Sequence, residues 1–161
     1  MPRFVPLLVG LLLACQPALA GPDWDARLGL FLGPQYFLQE ENQVQFSFGT
    51  EGHVSILGPL SAGISAGMGV IADTTVLSAA GLRLHLLRRQ ELSLALDVRG
   101  GAAIGIEGEE KGVQPLVVGG LELVHDLGDN FCILVRTNTG YQGGADRGWL
   151  LDLVVGLGLL L

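Results

Sequence analysis

The side chains of this sequence that could move a proton or open an ester are three histidines and the hydroxyls near them. His53-Val54-Ser55 sets a base beside a hydroxyl, the pairing that nucleophilic acyl chemistry uses. His85 and His125 stand apart from it, and no two histidines share a metal-ligand spacing. His85 reads as an inward polar residue and His125 as an interfacial one. Glu107, Glu109 and Glu110 could gather a divalent cation, but an acidic run of this kind reads as a solvated loop. Gly67-Met68-Gly69 sits inside a strand-like run with no helix after it, so it is no phosphate cradle. No catalytic, cofactor-binding or metal-ligating residue is therefore expected, and no cofactor.

A second set of charges is better placed. Arg83, Asp97, Arg99, Glu122, Arg136 and Asp152 each fall within a run whose neighbours alternate apolar and small or polar. The last of these runs sets the pattern. From Trp149 to Leu161 every odd position is large and apolar, while the even positions include Asp152, Gly156 and Gly158. A strand sends alternate side chains to opposite faces. One face here is greasy without a gap, and the other offers a tight, partly polar space. That is the demand of a transmembrane β-barrel, where lipid lies outside and a narrow lumen inside.

Composition agrees. The chain has 161 residues, enough for one domain, with 25 Gly and only 16% charged residues. A soluble domain averages ~25% charged residues and ~7% Gly. After the N-terminus no stretch reaches the ~18 continuous apolar residues of a membrane helix. Residues 1–20 read as an export signal: Arg3, an apolar run from Phe4 to Ala14, then Ala18-Leu19-Ala20 as the cleavage site. Leu12-Leu13-Ala14-Cys15 offers a rival lipoprotein site. Cleavage leaves residues 21–161 as the barrel. It removes Arg3 from the nine basic residues, leaving eight against 16 acidic ones, so nucleic acid is not an expected partner. Cys132 is then alone and reads as a small packed side chain, with no disulfide.

Eight strand-like runs follow, parted by turn chemistry. The expected strands are about 24–32, 36–48, a third ending at Val70, 75–87, 92–106, 113–125, 131–141 and 149–161. Gly33-Pro34-Gln35 and Gly49-Thr50-Glu51-Gly52 are expected turns, and Gly58-Pro59 is either a bulge or a small extra turn. An even count puts both ends in the periplasm. The loops at Gly33, Asp73, Glu109 and Gly144 are then external. Trp24, Phe46, Phe48 and Phe131 are expected near the periplasmic rim, and Tyr36, Phe37, Tyr141 and Trp149 near the outer rim.

Register then brings the charges together. A three-residue turn around Gln90 pairs Leu82, Leu84 and Leu86 with Val98, Leu96 and Leu94, and puts Arg83 opposite Asp97. A turn at Gly128-Asp129-Asn130 puts Glu122 opposite Arg136. Pairing Gly140 with Gly148 puts Arg136 opposite Asp152 as well, with Arg99 diagonal to Glu122. A lone Arg on the lipid face at midplane costs ~2–4 kcal/mol. A buried charge costs several kcal/mol unless paired, so these charges belong inside and matched. Eight strands leave room only for side chains. Inward glycines such as Gly63, Gly67, Gly69, Gly101, Gly105, Gly156 and Gly158 make space for the arginines, and a plugged barrel without a continuous pore is expected.

Signal, eight alternating strands, aromatic rims and an internal charge cluster together resemble the small outer-membrane barrels of the OmpA-transmembrane-domain and OmpX type. The resemblance is one of pattern over the whole mature chain. It implies a bacterial outer-membrane protein of structural or interaction role. Outer-membrane lipids, lipopolysaccharide and the barrel-assembly machinery would be its partners. Two features depart from it: Leu161 closes the chain where such proteins usually end on Phe, and the outer loops are short. Two other readings compete with it. His53-Val54-Ser55 echoes the His-x-Ser spacing of outer-membrane lipid A deacylases, but at an early, periplasmic position and with no following Asn. A soluble lipocalin-like carrier would turn the leucines inward and overfill the barrel.

Overall fold

A computed structural model describes residues 26–38, 43–70, 74–105, 112–143 and 148–161. The segment 1–25 lies outside the described residues, and with it the expected signal, Cys15 and Trp24. Most of the expected external loops lie outside them too.

Alternation resolves into eight strands: β1 Ala26–Leu38, β2 Gln43–Leu57, β3 Leu60–Val70, β4 Thr75–Arg89, β5 Leu92–Gly105, β6 Val113–Asp126, β7 Phe131–Gln142 and β8 Gly148–Leu160. Each pairs antiparallel with its chain neighbours, and β8 closes on β1. The barrel is all-β, antiparallel and up-and-down. Closure leaves no edge with unpaired backbone groups. Three connections are tight and share one end of the barrel with Ala26 and Leu161: Gly58-Pro59, Gln90-Glu91 and the segment 127–130. We call this the turn end and the other the loop end. Gly58-Pro59 is a genuine two-residue turn, with Gly58 at φ 51°, and a bulge beside it between Ser55 and Leu57.

Two expected turns are strand. β1 runs straight through Gly33-Pro34-Gln35, and β2 through Gly49-Thr50-Glu51-Gly52. The register pairs Gly33 with Ser47 and Leu30 with Thr50, so the first hairpin turns between Leu38 and Gln43. The physical reason lies in the ladder. Pro34 has no N–H to give, and the pairing between β1 and β8 skips Gly33 and Pro34 before resuming in the same register at Gln35. Gly33 is needed there because a Cβ would strike the Leu153 carbonyl of β8. Gly-Pro here marks a close approach within a strand rather than a reversal. The β4–β5 hairpin is also tighter than expected. A bulge at Leu86 leaves Leu87, not Leu86, opposite Leu94, while Leu82 and Leu84 meet Val98 and Leu96.

The two faces separate sharply. Leu30, Ile64, Val98, Leu121, Leu153 and Leu157 are among the exposed outward residues. Two apolar clusters sit in the lumen: Val124, Cys132, Leu134, Val154 and Leu160 toward the turn end, and Phe37, Leu116, Val118 and Leu150 toward the loop end. Between them the lumen is filled by charge.

Among the described residues the aromatics do not form two belts. Tyr36, Phe46, Phe48, Tyr141 and Trp149 are exposed near the loop end on β1, β2, β7 and β8. Tyr141 and Trp149 are paired across strands, edge to face, with centroids 5.8 Å apart. Phe131 is exposed at the turn end. Phe46 and Phe48 fall at the loop end because β2 begins at Gln43, seven residues later than the expected Tyr36. Phe37 is buried and points into the lumen.

Candidate functional site: a charge cluster across the lumen

Six inward residues from six strands meet at the barrel axis: Arg27 (β1), Glu51 (β2), Arg83 (β4), Arg99 (β5), Glu122 (β6) and Arg136 (β7). Each is there because strand alternation points it inward while its two chain neighbours turn outward. Arg27 donates to Glu51 at 2.7 Å and lies 2.9 Å from Glu122. Arg83 donates to Glu122 at 2.7 Å. Arg136 donates to Glu51 and lies 3.4 Å from Glu122. Its guanidinium also stacks over the Phe31 ring, 5.5 Å from the centroid. Each glutamate is thus shared among several arginines. Arg99 lies 2.6 Å from Asp97 and 3.8 Å from Glu51, and donates to Ser65 at 3.2 Å.

The expected pairs are regrouped. Arg83 does stand opposite Asp97 and Glu122 opposite Arg136 in the ladder. Yet the carboxylate that Arg83 binds is Glu122, two strands away, and Asp97 sits instead against Arg99 on its own strand. Asp152 is opposite Asn138, not Arg136, because Gln142 rather than Gly140 pairs with Gly148. Asn138 binds the Asp152 carboxylate with its backbone N–H at 3.1 Å and its side-chain amide at 2.7 Å. Arg99 pairs with Val118 and is not diagonal to Glu122. The cause is geometry: in so narrow a lumen a long guanidinium reaches past its ladder neighbour to the far wall.

Two cluster members, Arg27 and Glu51, were missing from the sequence reading. Glu51 was lost because Gly49–Gly52 looked like a turn. Arg27 could have been found, since it alternates with Ala26 and Leu28 on a strand already recognised. His53 is inward as well. Its Nε2 accepts from Arg83 at 2.9 Å and lies 3.5 Å from Glu51. Ser61 and His85 are hydrogen-bonded at 3.0 Å toward the turn end. The inward glycines serve more than arginine. A Cβ on Gly63 would strike the His53 ring, one on Gly69 the Gln45 amide, one on Gly67 the Phe48 carbonyl and then the Phe31 ring edge, and one on Gly158 the Cys132 sulfur and then Arg27.

The cluster is nearly dry. Arg27, Glu51, Arg83, Glu122 and Arg136 are each at most 3% exposed. The two apolar clusters flank it toward either end of the barrel. On the loop side a chamber of about 50 Å³ adjoins Gln35, Arg99, Arg136, Asn138 and Asp152. Its lining is mixed, and it is roomy enough for water beside Gln35 Oε1 and Arg136 Nε, which make no bond to the described residues. Such an arrangement can tie six strands together through shared ion pairs. Among the described residues no group of His, Cys, Asp and Glu could hold a metal ion.

No family model matches the sequence, and no curated protein does. Solved structures do resemble it. Neisserial surface protein A (NspA) superposes with a TM-score of 0.67 at 9% identity, over 84% of this chain and 97% of that one. The N-terminal β-barrel domain of Pseudomonas aeruginosa OprF gives 0.56 at 14% identity, over 82% and 96%. Ail, the attachment invasion locus protein of Yersinia pestis, gives 0.56 at 11% identity, over 87% and 100%. At these identities the likeness is one of fold, and the fold is that of eight-stranded transmembrane barrels.

Proposed function

We propose that this chain is a small bacterial outer-membrane barrel whose lumen is closed by a shared ion-pair cluster. Its role is structural or interactive rather than catalytic. The observation that carries the reading is the lumen itself: Glu51 and Glu122 are held jointly by arginines from β1, β4 and β7, with apolar residues at both ends. The apolar exterior supplies the lipid contact. The turn end, with both ends of the described chain, faces the periplasm, and residues 1–20 direct export with cleavage after Ala20. Outer-membrane lipids and lipopolysaccharide are its surroundings, and the barrel-assembly machinery inserts it. One solved form of Ail is a complex with the heparin analogue sucrose octasulfate; a surface ligand for this chain would have to be read by its loop end.

Three measurements test the proposal. Fractionation of cells making the protein should place it in the outer membrane, with a mature mass that fits cleavage after Ala20. Added acyl mass at Cys15 would replace that cleavage site with the lipoprotein one. Refolded barrel in planar bilayers should show no steady conductance of a porin's size, and such conductance would overturn the closed lumen. A turnover assay on lipid A and phospholipid should stay blank. Hydrolysis that depends on Ser55 or Ser61 would move the chain to the enzyme class.

A further inference from the structure

The outer wall is not uniform. On β6, β7, β8 and β1 most outward residues are bulky, among them Leu121, Val135, Leu153 and Leu32. Across β2 to β5 two adjacent ladder rows are small: Thr50, Gly52, Ala66, Ser78, Ala80 and Gly100, interrupted by Ile64. The next row toward the loop end is Phe48, Met68, Val76 and Ile104, and the next toward the turn end contains Val54, Leu82 and Val98. Two walls and a low floor make a groove of about 1130 Å³, which continues past Leu28 and Leu30 to Leu157 and Leu159 and opens at the turn end beside Leu127 and Phe131.

We infer that this groove seats one acyl chain of a glycerophospholipid from the leaflet at the turn end. The inference rests on the membrane-spanning reading above. Three features select this occupant. The groove is lined mostly by apolar atoms and is continuous with the surface that lipid must already cover. From β8 to β5 it crosses five strand spacings of ~4.8 Å, about 24 Å. With strands tilted ~45° it climbs about 17 Å, close to half of the ~30 Å hydrocarbon core and so the reach of one leaflet. Finally, the surface is concave. A second copy related by two-fold symmetry would set groove against groove and leave a void, and a copy presenting its bulky face would make a contact that does not close. A flexible hydrocarbon chain fills a depression of this shape at no such penalty.

The test uses the full chain refolded into phosphatidylethanolamine–phosphatidylglycerol vesicles that carry a phospholipid with a diazirine in its acyl chain. After photolysis, peptide mapping should place adducts several-fold more often on β2–β5 than on the lipid face of β6, which lines no part of the groove. Ala80→Leu with Gly100→Leu should bring β2–β5 down to the level of β6. Heat-modifiable gel migration checks that this variant is folded. Should it not fold, Gly100→Leu alone serves, because a Cβ there meets no atom nearer than 4.0 Å. Equal labelling of the two faces, or labelling unmoved by the filled groove, would overturn the site. So would efficient bis-maleimide cross-linking between copies of an Ala80→Cys variant, which would name a second copy as the occupant. Absence of adducts on both faces would instead sink the membrane-spanning reading and this inference with it.

Discussion

Removing Glu51 should be among the most damaging single changes in the lumen, and its coupling to Arg136 should be large. Glu51→Ala takes away the partner that Arg27 binds at 2.7 Å and that Arg136 binds as well. It also removes a carboxylate within 4 Å of Arg83 and Arg99. Deleting one partner of a buried pair costs ~3–5 kcal/mol, because the other charge stays buried without compensation. Here Arg27 and Arg136 retain Glu122 at 2.9 and 3.4 Å, which favours the lower end, about 3 kcal/mol. In the double variant Glu51→Ala, Arg136→Ala one stranded guanidinium is gone. The double should therefore fall short of the sum of the singles by ~1–3 kcal/mol. Reversible urea unfolding of the refolded barrel in vesicles, followed by tryptophan fluorescence, gives all four corners of the cycle. Additivity within ~0.5 kcal/mol would falsify the shared cluster. A second cycle separates lumen geometry from ladder register. Arg83 should couple more strongly to Glu122, which it binds at 2.7 Å, than to Asp97, which merely stands opposite it.

Three further outcomes follow from the same geometry. Gly101→Ala should destabilise by ~1–3 kcal/mol, because the new methyl runs into the Ser78 carbonyl. Gly100→Ala, one residue away and facing out, should stay within ~0.5 kcal/mol; equal effects in the same urea assay would contradict the inward–outward assignment. Single-cysteine variants at Leu153 and Leu157 should be labelled by lipid-soluble probes. Cysteines at Asp152 and Arg136 should not, and the reverse pattern would invert the barrel. Cys132 is fully buried, so a maleimide should leave it unmodified in the folded barrel and react on heat unfolding; rapid modification of folded protein would refute its packing.

Much of this architecture was legible in the chain because a strand's period of two is written directly in residue types. Leu153 and Leu157 against Asp152 and Gly156 announce both faces of β8 without any knowledge of its neighbours, and eight such runs announce an up-and-down barrel. The interior position of Arg83, Asp97, Arg99, Glu122 and Arg136 followed from the same parity. Glycine and proline were less readable, since their local chemistry is shared by turns and by close approaches between strands. Gly33-Pro34 and Gly49–Gly52 could be either until β8 and β3 were laid beside them, and that ambiguity hid Glu51 and moved Phe46 and Phe48 to the wrong rim.

Parity fixes which face a side chain takes, and it is local, so the sequence alone determined the inward charges and the greasy exterior. Partner choice is not local. Glu122 takes its short contacts from Arg27, three strands away around the wall, and from Arg83, two strands away. Closure of the sheet brings opposite walls within the length of one arginine, and that distance exists only once the barrel is shut.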